Sequence, residues 1–279
     1  MRPSSYFVLY AKLQTLSEDH QQSLLRCLSD EHIEGIRKHH IKNMPLALED
    51  FSLPHLVDKV HYSWLLPFLS KQEYPALFFP LFSEKTREKL AKSLSIPWEP
   101  SQDGSSPLLG YLRLVVEEAF FWGQTILPVS YLQNSPLKDL LFYNKQELVD
   151  LIYELSLWDM AIELRQIVDQ KVLQEIASTL SDEEKKEIAR ISKQALVPLF
   201  PRAHYKDLPS FEQEMHKRGI ARLGIALLEE SSDFLWHITR VLDKGRGTLL
   251  LNMYEKKALA NHAPDMINLV LDVLEDRSS

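Results

Sequence analysis

The residues with the most obvious chemical potential are His32, His39 and His40. Three imidazoles within one short stretch could begin a zinc site, which needs three or four nitrogen, sulfur or carboxylate ligands. No completing ligand falls at metal spacing beside them. Arg37, Lys38 and Lys42 make the same stretch basic, and cations at the end of a helix complement its dipole. Glu117 and Glu118 are a pair of acids of the kind used in proton transfer. Neighbours in a helix point about 100° apart, so the two do not converge by themselves. Lys244-Gly245-Arg246-Gly247 has two readings. Glycines and a following helix N-terminus can hold an anion beside Arg246. The same residues can form a glycine C-cap and a tight turn between two helices. His237, inside Leu235-Trp236-His237-Ile238, reads as partly buried packing. Cys27 lies between Leu25 and Leu28 on an apolar helix face and reads as a buried structural thiol. The chain has no Walker A loop, G-x-G-x-x-G, H-E-x-x-H, G-x-S-x-G or paired C-x-x-C. No cofactor is expected from these residues.

The elements that must position these groups are helices. The 279 residues are 45% hydrophobic and 25% charged, a balance typical of a globular chain. Glycine is scarce, at 8 residues, while leucine, glutamate and lysine are abundant. No β-branched alternation is long enough for a strand. The net charge of −7 weighs against nucleic-acid binding. A single cysteine allows no intramolecular disulfide, which fits a reducing compartment. The apolar run Tyr6–Ala11 is short and flows into a polar helix, so it reads as core rather than as a signal. No stretch is long enough to span a bilayer.

Helix starts repeat. Ser17-Glu18, Ser83-Glu84 and Ser181-Asp182 each share one pattern: a serine, an acid at once, an aliphatic residue seven on and a cation nine on. Serine at the N-cap accepts a backbone hydrogen bond, and acids favour the first turn. Glu184 lies three after Ser181, where His20 and Thr86 stand in the other copies. Only Ser181 is therefore predicted to form a capping box. Leu56-Val57-Asp58 and Leu148-Val149-Asp150 precede two of these starts and suggest a diverged duplication.

Along the chain, helices are predicted at 4–14, 17–28, from Ser29, and from Leu53 through Leu66. Pro67, Pro75, Pro80 and Pro97 keep the next elements short. Ile96 to Pro107 is rich in proline, serine and glycine and reads as a linker. The expected organisation is an N-terminal lobe at 1–98, a linker at 99–107 and a helical-repeat lobe at 108–279. Asn144, Ser156, Asp169 and Ser181 are predicted to cap successive short helices. Further helices are predicted from Pro209 to Leu228 and at 230–243, 246–259 and 264–276. Short capped helices with tight joints are typical of a superhelical stack. The fold class expected is all-α, an armadillo-like right-handed superhelix in two lobes.

The most apolar region holds Trp64, Phe68, Leu77, Phe78, Phe79 and Phe82. It reads either as dense core between short helices or as a groove for a partner helix. On the second reading Trp64, Phe78, Phe79 and Phe82 are partner-binding residues, together with Lys244 and Arg246 near the C-terminus.

Arg222-Leu223-Gly224-Ile225-Ala226-Leu227-Leu228, then Leu235, Ile238 and Leu242, then Gly245-Arg246-Gly247 and Leu250, resemble the C-terminal helical region of the FliG family of flagellar motor-switch proteins. Lys145 to Gln194 resembles that family's armadillo-like middle module. The resemblance implies a component of a flagellar or type III secretion-like assembly, cytoplasmic and peripheral to the inner membrane through a partner.

The function expected is a non-enzymatic helical-repeat scaffold or adaptor. Its partners would be other proteins, such as components of a membrane-associated secretion or motor complex, with neither nucleic acid nor direct membrane insertion. The alternatives are a secretion chaperone or regulator, or an all-helical enzyme or small-ligand binder with a central pocket.

Overall fold

A computed structural model describes residues 13, 17–38, 57, 59–97, 106–121, 126–129, 132, 135–193, 198–201, 207–255 and 257–278. All regular structure among the described residues is helical. The chain divides into two compact units, Met1–Gln133 and Asn134–Ser279. Most of the linker expected at 99–107 lies outside the described residues, and all of it falls within the first unit. The helix expected at 4–14, apart from residue 13, and His39 and His40 also lie outside the described residues.

In the first unit α1 spans Glu18–Arg26 and α2 spans Asp30–Lys38. Leu13 and Ile36 are buried there, with Leu25 and Leu28 packed against them. Then come α3 (Tyr62–Leu69), a 3-10 turn (Pro75–Leu81), α4 (Glu84–Leu94) and α5 (Ser106–Phe121). The helix expected through Leu66 is interrupted after a helical Val57, at residues 59–61, and α3 starts afresh at Tyr62, where His61 Nδ1 accepts the Ser63 N–H. It also runs past Pro67, whose missing N–H costs one bond in the last turn without ending the helix. Pro107 sits at the second position of α5, where its N–H would have no partner anyway. The core is aromatic. The Phe68 ring meets Phe78 edge-on at 5.3 Å and Phe120 at 5.8 Å, tying α3, the 3-10 turn and α5 together.

In the second unit a 3-10 turn (Lys138–Phe142) leads into α6, Lys145–Leu164. Next come α7 (Gln170–Thr179), α8 (Asp182–Ile191), α9 (Leu208–Ala226), α10 (Ser232–Val241) and α11 (Lys244–Tyr254). A further 3-10 turn, Lys257–His262, precedes α12, Ala263–Ser278. Both α6 and α9 bury residues around most of their circumference, so they are the unit's central helices. They approach closely because position 219 is glycine. A Cβ there would strike the Ile152 carbonyl and sit 3.2 Å from Ser156 Cβ. A Cβ at Gly224 would lie 2.8 Å from Met253 Cβ, so the same helix also admits α11. One apolar cluster joins Met160 and Leu157 of α6 to Ile176, Ile188, Ile191 and Phe211. The last helix returns to the first: Arg277 Nε donates to Glu154 Oε2 at 2.9 Å and Nη1 to the Glu147 carbonyl.

In the second unit caps explain the helix starts, with two differences from expectation, whereas Ser17 and Ser83 of the first unit make no side-chain cap bond. Asn144 makes a capping box with Glu147, and Asp169 caps α7. Ser156 caps nothing. It is buried in the middle of a continuous α6, and its hydroxyl donates to the Tyr153 carbonyl. The second difference concerns Lys244 to Gly247. They form the first turn of α11, capped by Asp243, and not a C-cap joint. Position three after each serine decides the rest. Ser181 and Glu184 form the full capping box. Ser17 makes no cap bond, and its hydroxyl pairs with His20 Nδ1 at 2.8 Å. Ser181→Ala is therefore expected to cost about 1 kcal/mol. Ser17→Ala is expected to cost under about 0.5 kcal/mol. Denaturant titration of each variant measures the difference.

Candidate functional site

The chemically richest cluster is one that sequence reasoning did not single out. Asp159 and Glu163 on α6 face Arg218 and Arg222 on α9, and each of the four is at most 4% exposed. Arg222 grips Asp159 with two bonds, Nε to Oδ2 at 2.5 Å and Nη2 to Oδ1 at 3.2 Å. Arg218 Nη1 donates to Glu163 Oε1 at 2.9 Å and lies 3.9 Å from Asp159 Oδ1. Its Nη2 donates to the Pro201 carbonyl, and its guanidinium stands over the Phe200 ring. Glu214 flanks it at 3.5 Å. Two-point guanidinium–carboxylate bonding fixes direction as well as distance. Two anions and two cations cancel inside the core, and the enclosed carboxylates are out of reach of a substrate. The arrangement locks α6 to α9.

Polar ties at the unit's rim do similar work. Tyr153 on α6 donates its hydroxyl to Glu184 Oε1 at 2.6 Å, while Glu184 Oε2 closes the capping box of α8. Burial and then the Glu184 bond push the Tyr153 phenol up. Burial alone would raise the Glu184 carboxyl, but hydrogen bonds from Tyr153 and Ser181 hold it below its ordinary value. Arg190 of α8 bonds Glu187 and reaches Asp276 of α12 at 3.1 Å. A third polar group lies where α9 meets the start of α11. Arg246 Nε donates to His216 Nε2 at 2.9 Å, and Arg246 Nη1 donates to Asp243 Oδ2. Lys145 stands 3.7 Å from Asp243.

The residues expected to bind a partner have different fates. Phe78, Phe79 and Phe82 are 3–5% exposed and belong to the core of the first unit. They fit the dense-core reading of that stretch, and their substitution acts on packing first. Trp64 is half-buried. The exposed apolar residues of the stretch are Tyr74 and Leu77. Lys244 and Arg246 are in the second unit, Lys244 exposed and Arg246 half-buried in the His216–Asp243 cluster. His237 is buried edge-on to Trp236, in keeping with a packing role. Cys27 is exposed, contrary to expectation. It caps the end of α1, a helix that buries none of its residues, and its thiol donates back to the Ser23 carbonyl.

The clearest free surface is on α5. Leu112 and Val116 are buried, while Leu108, Tyr111 and Leu114 form a stripe on another face, 38%, 64% and 63% exposed. The signal was in the sequence: α5 carries apolar residues at too many successive positions for one face to bury. Asp159 and Glu163, and likewise Arg218 and Arg222, are four apart among apolar residues, which also marks ion pairs between packed helices. Among the described residues no group of three His, Cys, Asp or Glu could hold a metal ion. No helix among them is long and apolar enough to cross a membrane. No family model, curated protein or solved structure matches this chain.

Proposed function

We propose that this chain is a non-enzymatic helical scaffold or adaptor that acts by binding another protein. The observation that carries this reading is the apolar stripe Leu108, Tyr111 and Leu114 on α5. Two of its side chains leave almost two-thirds of their surface in water, and apolar side chains exposed together along one helix favour a contact surface. Covering one such side chain contributes about 1.5–3 kcal/mol, enough to make it a binding hot spot. The ion-paired centre of the second unit supports the same reading, because its charged groups are spent on joining helices.

In its finer form the proposal rests on the resemblance to FliG. The partner is then a component of a membrane-associated secretion or motor assembly, met in the cytoplasm. The consecutive capped helices α6, α7 and α8 are its armadillo-like superhelical stack. Supporting it are the capped starts at Asn144, Asp169 and Ser181.

The test uses the double variant Tyr111→Ser, Leu114→Asp. Both side chains are exposed, so its melting temperature is expected to match the wild type. Affinity for the partner recovered from the source cells is expected to fall about thirtyfold, the equivalent of about 2 kcal/mol. Equal affinity in wild type and variant would remove α5 as the contact surface.

A further inference from the structure

His216 and Arg246 make an unusual contact. Arginine Nε carries a hydrogen and can only donate, so His216 Nε2 must accept at 2.9 Å. An imidazole accepts at Nε2 only when neutral, with its proton on Nδ1. The bond therefore exists in one protonation state of a group that titrates near physiological pH. Its geometry ties the two elements it joins: His216 lies mid-way along α9, and Arg246 in the first turn of α11, one turn beyond the Asp243 cap. Asp243 Oδ1 accepts the Arg246 backbone N–H while its Oδ2 holds the Arg246 guanidinium. The start of α11 is thus pinned from two sides, by its own cap and by His216.

We propose that His216 is a proton-operated latch on the first turn of α11, closed when the imidazole is neutral and opened by its protonation. On protonation the Nε2 lone pair becomes an N–H facing the Arg246 N–H, and two cations meet at hydrogen-bond distance. Arg246 leaves α9 with its guanidinium held by Asp243 alone, which loosens the turn that carries it.

The surrounding charges favour the closed state near neutrality. Burial first, then the Arg246 charge, lower the His216 proton affinity, and Asp243 opposes them. Among the described residues, Arg246 and Asp243 are the charged groups that shift it. Lys145 of α6 faces Asp243 and so weakens its pull, while Glu212 and Lys217 flank His216 on α9 with opposite signs. Because the folded value lies below the ordinary 6.5, the latch contributes stability that is complete above that value. This contribution is lost as pH falls through the folded value. The latch does not depend on the scaffold reading, although it controls one of the cations at the surface of the second unit.

The test is a pH titration of the full chain, labelled with nitrogen-15 at histidine and arginine, from about pH 8 to about pH 5. At the upper end the His216 Nε2 signal is expected in the range of an unprotonated acceptor, with a distinct, slowly exchanging Arg246 Nε–H. Both are expected to change together at one midpoint below about 6.5, while far-ultraviolet circular dichroism stays constant. In His216→Gln the amide oxygen can still accept but cannot titrate, so the Arg246 signal is expected to stay unchanged across the range. In Arg246→Gln the His216 midpoint is expected to rise. A protonated Nε2 at neutral pH overturns the latch, as does an Arg246 signal indifferent to His216 titration. An Arg246 transition that persists in His216→Gln, or loss of the helical signal at the same midpoint, also overturns it. The wild-type titration decides the matter even if a variant does not fold.

Discussion

Arg222→Met is expected to destabilise the second unit by about 3–5 kcal/mol, because it leaves the Asp159 carboxylate buried without its two-point partner. Asp159 is only 1% exposed, so bulk water does not solvate it in the folded chain. Arg218 cannot replace the lost bond, since its Nη1 is 3.9 Å away and is committed to Glu163. The double variant Asp159→Leu, Arg222→Met removes both charges and leaves two apolar side chains of similar reach. It is expected to recover most of the loss, since an intact buried pair replaced by packed apolar groups is often neutral or stabilising. Urea titration of the two single variants and the double variant gives the coupling directly. If Arg222→Met alone costs under about 1 kcal/mol, the network is not the lock between α6 and α9.

The second large effect comes from the smallest residue at the same contact. Gly219→Val is expected to cost about 3 kcal/mol or more, at or beyond the usual range for overpacking. Its Cβ would meet a backbone carbonyl, that of Ile152, which cannot rotate aside as a side-chain tip could. The two central helices would have to separate, and the ion pairs with them. Gly110→Ala is the matched control. Nothing lies within 4 Å of a Cβ at that position on exposed α5. There the gain in helix propensity is expected to stabilise by about 0.5–1 kcal/mol. Opposite signs from two glycines in helices would separate the close approach from propensity.

Helix content was legible because it rests on local chemistry. Scarce glycine, capping residues and apolar spacing act within a few residues, and Asn144, Asp169 and Ser181 cap as their types dictate. Ser156 shows where local chemistry misleads. Three residues after it stands Asp159, in the place of a capping-box acid. That carboxylate is held by Arg222 from another helix, and the Ser156 hydroxyl bonds back within α6. A serine can satisfy its hydroxyl either way, so only tertiary contacts decide between a cap and a continuous helix. Lys244 to Gly247 misleads in a related way. Two glycines suggest a helix end, but Asp243, just before Lys244, starts one. The aromatic stretch was apolar enough for both a core and a groove. Phe78, Phe79 and Phe82 are buried, Phe78 against Phe68 of α3, and no local pattern specifies such a tertiary contact. The stripe on α5 was within reach of the sequence, since a helix apolar on several faces must leave one of them uncovered unless neighbours enclose it.

Contact through α5 is the proposed mode of action of this protein. Hydrogen–deuterium exchange, comparing the free chain with the chain bound to the partner recovered from its source cells, tests it most directly. Slowed exchange concentrated in Ser106–Phe121 is expected on binding. Exchange in α5 that is unchanged by a bound partner would contradict it.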